Sequence, residues 1–235
     1  MASPQGKLYI VGTPIGNMED ITLRALRVLR EADLIAAEDT RHTGLLLARH
    51  GLKKPFVSYH QFNEAKRTPE LLAQLQQGRQ IALVSDAGMP TLSDPGLRLI
   101  RAAIDAGVAV EVVPGVSAIT AALAGSGLVR GNGWSREGGF LFFGFLPHKS
   151  GQRRTALTRL APLPCTLVFF ESPYRLLKSL GDMRDVLGNR GIVVARELTK
   201  KFEEFLRGDI ESVLKKLENR SIKGEITVIV EGRQE

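Results

Sequence analysis

Two carboxylates, Asp86 and Asp94, stand eight residues apart in "SDAGMPTLSDPG" (85–96), directly after the apolar run "QIALV". Asp86 follows that run immediately, and a carboxylate at the carboxyl end of a strand in an α/β protein points to a ligand site. Asp94 precedes Pro95 and Gly96, the pattern of a helix N-cap with proline at N1, so capping is its expected role. Acid–base groups gather again in "AAEDTRHT", where Glu38, Asp39 and His42 follow another apolar run, and single acids sit at Glu171 and Glu197. A general base must reach the proton it removes, so these five are candidates for proton transfer, against capping or ion pairing as their ordinary uses. His42, His50, His60 and His148 lack ligand spacing, and no metal site is expected.

Two more loops share this character. "GTPIGN" (12–17) invites a dinucleotide reading that fails on spacing, because G-x-G-x-x-G needs glycines at 12, 14 and 17 and the chain has Gly12, Pro14 and Asn17. A phosphate-binding P-loop fails as well, since no G-K-[ST] occurs. "VPGVSA" (113–118) stops a strand at Pro114 and Gly115 and offers Ser117 as a cap for the next helix.

The elements that must position these loops alternate. Strands are expected at "KLYIVG", "LIAAED", "PFVSYH", "QIALVSD" and "AVEVVPG". Helices are expected between them at "ITLRALRVLREAD", with Leu23, Leu26 and Leu29 on its inner face, and at "TGLLLARHG", "TPELLAQLQQG" and "DPGLRLIRAAIDAG". After the small-residue helix "VSAITAALAGSG" the alternation restarts, with strands "FLFFGF", "CTLVFFES", "GIVVAREL" and "EITVIVEG" and helices "YRLLKSLGDMRDVLG" and "DIESVLKKLEN", the second preceded by a short strand at "FEEFLRG". Two α/β lobes are therefore expected, residues 7–115 and 116–235.

The 235 residues carry a net charge of +7, which favours polyanionic partners. Between Val129 and Arg159 the chain has Arg130, Arg136, Lys149, Arg153, Arg154 and Arg159 against one acid, Glu137, with Trp134 and Phe145 near enough to stack on bases. The alternative for this segment is a solvated helix face. A single cysteine, Cys165, and an N-terminus without signal-peptide layout fit a reducing cytoplasm. No apolar run reaches the roughly 18 residues of a membrane span.

"LYIVGTPIGNMEDIT", "AAEDTRHT", "LVSDAGMPTLSDPG", "VVPGVSA", "GFLP", "ESPYR", "ARELTKKFEE" and "KGEITVIVEG" together, in order from Leu8 to Gly232, resemble the small-subunit ribosomal RNA methyltransferases of the tetrapyrrole-methylase-like family. The segment "VRGNGWSREGGFLF" departs from that pattern, being longer and more glycine-rich than the family's link to "GFLP".

The resemblance implies a class III methyltransferase of two α/β lobes that holds S-adenosylmethionine in the cleft between them and methylates the 2'-oxygen of a cytidine ribose in the decoding region of 16S ribosomal RNA, free or in the assembled small subunit. It implies a homodimer, for which "VSAITAALAG" offers an apolar helix. Carried onto this chain, it places Asp86, Ala87, Gly88 and Pro90 near the methionine part and ribose of the donor. Gly115, Ser117 and Ala118 would lie against them, Thr13 and Pro14 line the mouth, and Phe170 and Glu171 cover the adenine. Glu38, Asp39 and Glu171 remain the leading candidates for the base, and Lys149, Arg153 and Arg154 for contacts to RNA. A tetrapyrrole C-methyltransferase of the same fold is the alternative, although its usual first loop is richer in glycine than "GTPIGN".

Overall fold

The computed structural model describes residues 6–128 and 139–233. Within it the chain forms two compact units that divide between Ser117 and Ala118.

In the first unit, β1 (Lys7–Val11), β2 (Leu34–Ala37), β3 (Phe56–Ser58), β4 (Gln80–Val84) and β5 (Ala109–Val113) form one sheet in the order β3-β2-β4-β1-β5, every neighbouring pair parallel. The apolar run of β4 is buried on both faces. Ile81 and Leu83 pack with Leu71, Leu75 and Leu99 of α3 (Glu64–Gln76) and α4 (Leu97–Asp105). Ala82 and Val84 pack with Val28, Leu29 and Leu47 of α1 (Leu23–Glu31) and α2 (Thr40–Arg49). Such double burial is why the strand reads as unbroken hydrophobics rather than as an alternation.

α1 starts where the Thr22 hydroxyl accepts the Ala25 N–H. Its inner face differs from the expected one: Ala25, Val28 and Leu29 are buried, and Leu23 is exposed in the first turn. α4 also differs at its start. Gly96 occupies the cap position without any side-chain cap bond, so Asp94 does not cap this helix.

The second unit opens with α5 (Ala118–Ser126) and holds the sheet β6-β7-β10-β8-β9, formed by β6 (Phe140–Phe145), β7 (Thr166–Glu171), β8 (Gly191–Arg196), β9 (Glu204–Asp209) and β10 (Ile226–Val230). Only β6 and β7 pair in parallel; the other three pairings are antiparallel. α6 (Ser150–Leu160), α7 (Leu176–Leu187) and α8 (Ile210–Leu217) bury Leu157, Leu180, Met183 and Val213 on one face of this sheet. α6 is a helix that the strand and helix pattern did not single out. α5 packs on β8, β9 and β10 and buries Ile119, Ala122 and Leu123 there, so its apolar face is already covered within the unit.

Candidate active site

In the first sheet β1 and β4 are the central neighbours, and the chain leaves β1 toward β2 on one side and leaves β4 toward β5 on the other. That reversal of winding opens a crevice at the carboxyl ends of β1 and β4, the usual ligand position in open parallel sheets. The three loops singled out by sequence, after β1, β4 and β5, all leave the sheet at this end, together with "ED" after β2.

These loops touch one another through backbone. Thr13 N–H donates to Gly88 O at 2.9 Å and Gly88 N–H to Thr13 O at 3.1 Å, a two-bond bridge across the crevice. The buried Thr13 hydroxyl donates to Ser85 O at 3.1 Å. Gly88 takes φ +83°, a conformation that L side chains rarely adopt. Gly12 and Gly115 serve a different need: a Cβ on Gly12 would stand 2.7 Å from Gly115 N, and one on Gly115 would stand 3.0 Å from Gly12 C. The first and third loops therefore lie in backbone contact, which larger residues would prevent.

The acids are organised around Asp86. Its Oδ1 accepts Asp39 N–H at 2.9 Å, its Oδ2 lies 3.4 Å from His42 Nδ1, and its own N–H donates to Glu38 Oε2 at 3.3 Å. Asp39 caps α2 by accepting Arg41 N–H at 2.8 Å and pairs with the Arg41 guanidinium at 2.5 Å. Those bonds to Arg41 hold the Asp39 carboxyl far below the usual carboxylate range. Burial pushes Glu38 upward, helped by the neighbouring charges of Asp86 and Asp39. Asp94, freed from capping, is pushed up to about 6 by burial and then by the charges of Glu38 and Asp86; the nearby Ser85 hydroxyl, which has no well-formed hydrogen bond, offsets only part of this. The loop that carries Asp94 places two non-glycine residues, Thr91 at φ 74° and Ser93 at φ 77°, in the left-handed region. Strain of this kind is costly and persists where surrounding structure enforces it.

Ligand atoms of Asp39, His42 and Asp86 come within 4.8 Å of one another, a grouping that histidine spacing alone did not reveal. Within it Arg41 pairs with Asp39 at 2.5 Å, and Asp86 accepts the Asp39 N–H at 2.9 Å.

Of the residues assigned to the donor, Thr13, Pro14, Asp86, Ala87, Gly88, Pro90, Gly115 and Ser117 lie on the loops after β1, β4 and β5 of the first unit, while Ala118, Phe170 and Glu171 belong to the second. Phe170 packs edge-on against Phe142 at 4.9 Å and against Phe145 at 5.7 Å. Glu171 is 3% exposed and both its oxygens are engaged: Oε1 pairs with Arg175 at 2.6 Å and accepts Ser172 N–H at 2.7 Å, and Oε2 accepts the Ser179 hydroxyl at 2.5 Å. It is a structural anchor, which corrects its candidacy as a base.

The basic segment divides. Arg130, Trp134, Arg136 and Glu137 lie outside the described residues. Arg153 is 3% exposed, pairs with Asp182 at 2.6 Å and donates to Pro147 O and His148 O. A guanidinium so enclosed cannot reach a phosphate, and its expected RNA contact is corrected to a role in the fold. Arg154 is half-exposed between Asp182 and Asp185, and Lys149 is exposed at the start of α6. Glu197 pairs with Lys200 at 3.0 Å, while Arg196 pairs with Glu204 instead.

Comparison with known proteins places this architecture. Residues 7–214 match the model of the tetrapyrrole (corrin/porphyrin) methylases. A protein of Halalkalibacterium halodurans named ribosomal RNA small subunit methyltransferase I is 49% identical over 98% of this chain and 78% of its own length. One of the same name from Thermotoga maritima is 47% identical over 97% of this chain and all of its own. Among solved structures, a uroporphyrin-III-C-methyltransferase from Thermus thermophilus superposes with a TM-score of 0.64 at 27% identity, covering 95% of this chain and 94% of the other. The family model spans most of the chain and the relatives nearly all of it: the chain belongs to the tetrapyrrole (corrin/porphyrin) methylase family and is a methyltransferase.

Proposed function

We propose that the protein transfers a methyl group from S-adenosylmethionine to the 2'-oxygen of a cytidine ribose in small-subunit ribosomal RNA, working in the cytoplasm as a homodimer. The observation that carries this reading is near-full-length identity of 46–49% to relatives that bear the rRNA methyltransferase name.

The crevice of the first unit suits the donor. Gly12 and Gly115 let the first and third loops close on each other, Gly88 holds the left-handed turn of the second, and Asp86, Glu38 and Asp94 supply negative charge for a cation. The donor supplies an electrophilic methyl on a sulfonium that departs as a neutral thioether. Thr13, Pro14, Asp86, Ala87, Gly88, Pro90, Gly115 and Ser117, on the loops after β1, β4 and β5, would hold it, and Ala118, Phe170 and Glu171 are the remaining residues that the resemblance assigns to it. Alignment supplies much of the rate, on the order of 7–11 kcal/mol in favourable cases. The acceptor hydroxyl must also lose its proton. Of the three leading candidates, Asp39 is held by Arg41 and Glu171 by Arg175, whereas burial makes Glu38 more basic, so Glu38 is the proposed proton acceptor. Lys149, exposed, and Arg154, half-exposed, are the proposed phosphate contacts of the basic segment.

A 2'-O-methyl removes the internal nucleophile of alkaline RNA cleavage. RNA treated with enzyme and donor should show one missing rung in an alkaline ladder, restored when donor is omitted. A complete ladder at full methylation, or a new methyl found on a base, defeats the ribose assignment. The 27% identity to a uroporphyrin-III-C-methyltransferase keeps a tetrapyrrole acceptor as the second reading; methyl transfer to uroporphyrinogen III but not to rRNA would establish it.

A further inference from the structure

The end of the second sheet where β6, β7 and β8 terminate carries chemistry that the donor site does not use. Register puts Phe145 beside Phe170, Glu171 beside Ile226, and Ile226 beside Arg196, so the three strands finish along one rim. Three aromatic side chains are left bare on it: Phe145 at 56% exposed, Tyr174 just after β7 at 92%, and Phe202 in the β8–β9 hairpin at 65%. At about 4.8 Å per strand, the three steps from β6 to β8 span about 14 Å. Lys149 follows β6 from this rim and Lys201 adjoins Phe202, with its ammonium 5.6 Å from the ring. Neither lysine forms an ion pair among the described residues.

Both loops are held rigid by their other polar groups. Arg175 ties Glu171 at 2.6 Å to Leu146 O at 3.1 Å, fixing the exit of β7 to the exit of β6. In the hairpin Lys200 bridges Glu197 at 3.0 Å and Glu225 at 2.9 Å, and Thr199 N–H donates to Glu203 at 2.6 Å. The acids of the hairpin tip are thereby engaged. Glu197 at φ 52° and Thr199 at φ 63° are left-handed without being glycine, and Gly224 is packed so closely on the Glu197 carboxyl that a Cβ there would stand 2.4 Å from it. These contacts fix the backbone of the turn that presents Lys201 and Phe202 to solvent.

From this arrangement we infer that the rim formed by Phe145, Tyr174 and Phe202, with Lys149 and Lys201, is a stacking platform for single-stranded RNA. Unstacked bases lie on exposed aromatic faces, and lysines beside them meet the backbone phosphates. Duplex RNA hides its base faces, so the platform selects splayed nucleotides. The inference rests on the RNA reading above and adds to it the residues that grip the substrate.

Binding of a short single-stranded oligoribonucleotide and of transcribed small-subunit rRNA should be measured for wild type, Tyr174→Ala, Phe202→Ala, Phe202→Trp and Lys201→Ala, alongside calorimetry with S-adenosylmethionine. Each alanine at an aromatic position should weaken single-strand binding about tenfold, within the range for a lost base stack. Phe202→Trp should retain it. Lys201→Ala should lower the salt slope by about 0.7, the value for one phosphate contact on a single strand. Donor affinity should stay unchanged throughout. Unaltered RNA affinity in the alanine variants of an enzyme that methylates rRNA overturns the platform alone, as does a loss of donor binding or a shift from dimer to monomer in those variants. A wild-type protein that neither binds nor methylates RNA overturns the functional reading, and the platform with it.

Discussion

Thr13 and Gly88 exchange both of their backbone hydrogen bonds, at 2.9 and 3.1 Å, although they belong to loops that leave different strands. The bridge fixes the loops after β1 and β4 as one piece at the point where the winding of the sheet reverses. Because Gly88 holds φ +83°, the bridge depends on a residue without a Cβ.

Gly88→Val should therefore weaken S-adenosylmethionine binding by about tenfold or more, since forcing an L side chain left-handed costs about 1–2 kcal/mol before any clash. An added Cβ would also stand 3.3 Å from the Ile15 side chain and 3.4 Å from Val116 O. Titration calorimetry on variants shown by circular dichroism to be folded gives the answer; unchanged affinity removes this loop from the donor site.

Asp86→Ala should reduce donor affinity as well, by removing a negative charge from the crevice and freeing the Asp39 N–H that Asp86 now holds. Asp86→Asn should recover the hydrogen bond and only part of the affinity. Equal affinity in all three proteins would show that the carboxylate serves only the loops.

Arg153→Ala should destabilise the fold by about 3–5 kcal/mol, the range for breaking a buried ion pair and stranding its partner, here Asp182. Arg154→Ala, at a half-exposed position, should change stability by less than about 1 kcal/mol and lower the salt slope of RNA binding. Urea unfolding separates the two; equal stabilities would mean that the Arg153 pair contributes nothing net.

Asp94 gives a pH signature. Its carboxyl is raised from 3.8 to about 6 in the fold, so between those values the native state binds more protons than the unfolded chain. Its contribution to stability is thus fully present below about pH 4 and is lost as pH rises through 6. Asp94 is only partly buried, and screening reduces the effect to roughly 1–2 kcal/mol. Asp94→Asn should stabilise the protein above pH 6 relative to wild type and lose that advantage at pH 4. A difference between the two proteins that does not vary with pH would place the Asp94 titration elsewhere.

Sedimentation at micromolar concentration should give a dimer mass. α5 already buries Ile119, Ala122 and Leu123 in its own unit, so substituting its inner face should unfold the second unit before it separates subunits. A monomer mass for wild type contradicts the dimer.

Much of this protein is written locally. Unbroken apolar runs such as "QIALV" and capped amphipathic segments mark strands and helices through side-chain period, and "SDAGMP", "GTPIGN" and "VPGVSA" follow their strands directly, which alone puts them at one end of a parallel sheet. α6 escaped because its polar, arginine-rich run lacks a broad apolar stripe, with Leu157 and Leu160 its main buried apolar side chains. Strand order, the antiparallel pairings of the second sheet, the backbone contact of Gly12 with Gly115 and the bridge from Thr13 to Gly88 depend on segments tens of residues apart, and no local period encodes them. The same holds for charge. Arg153 and Arg154 are adjacent and chemically identical, yet one is enclosed against Asp182 and the other reaches solvent, because the turn of α6 points neighbouring side chains in different directions. Asp94 sits in a cap-like motif but loses that role because Gly96 takes the cap position. A residue's type is set by the sequence; whether its charge is paired, buried or free is set by what the tertiary fold packs around it.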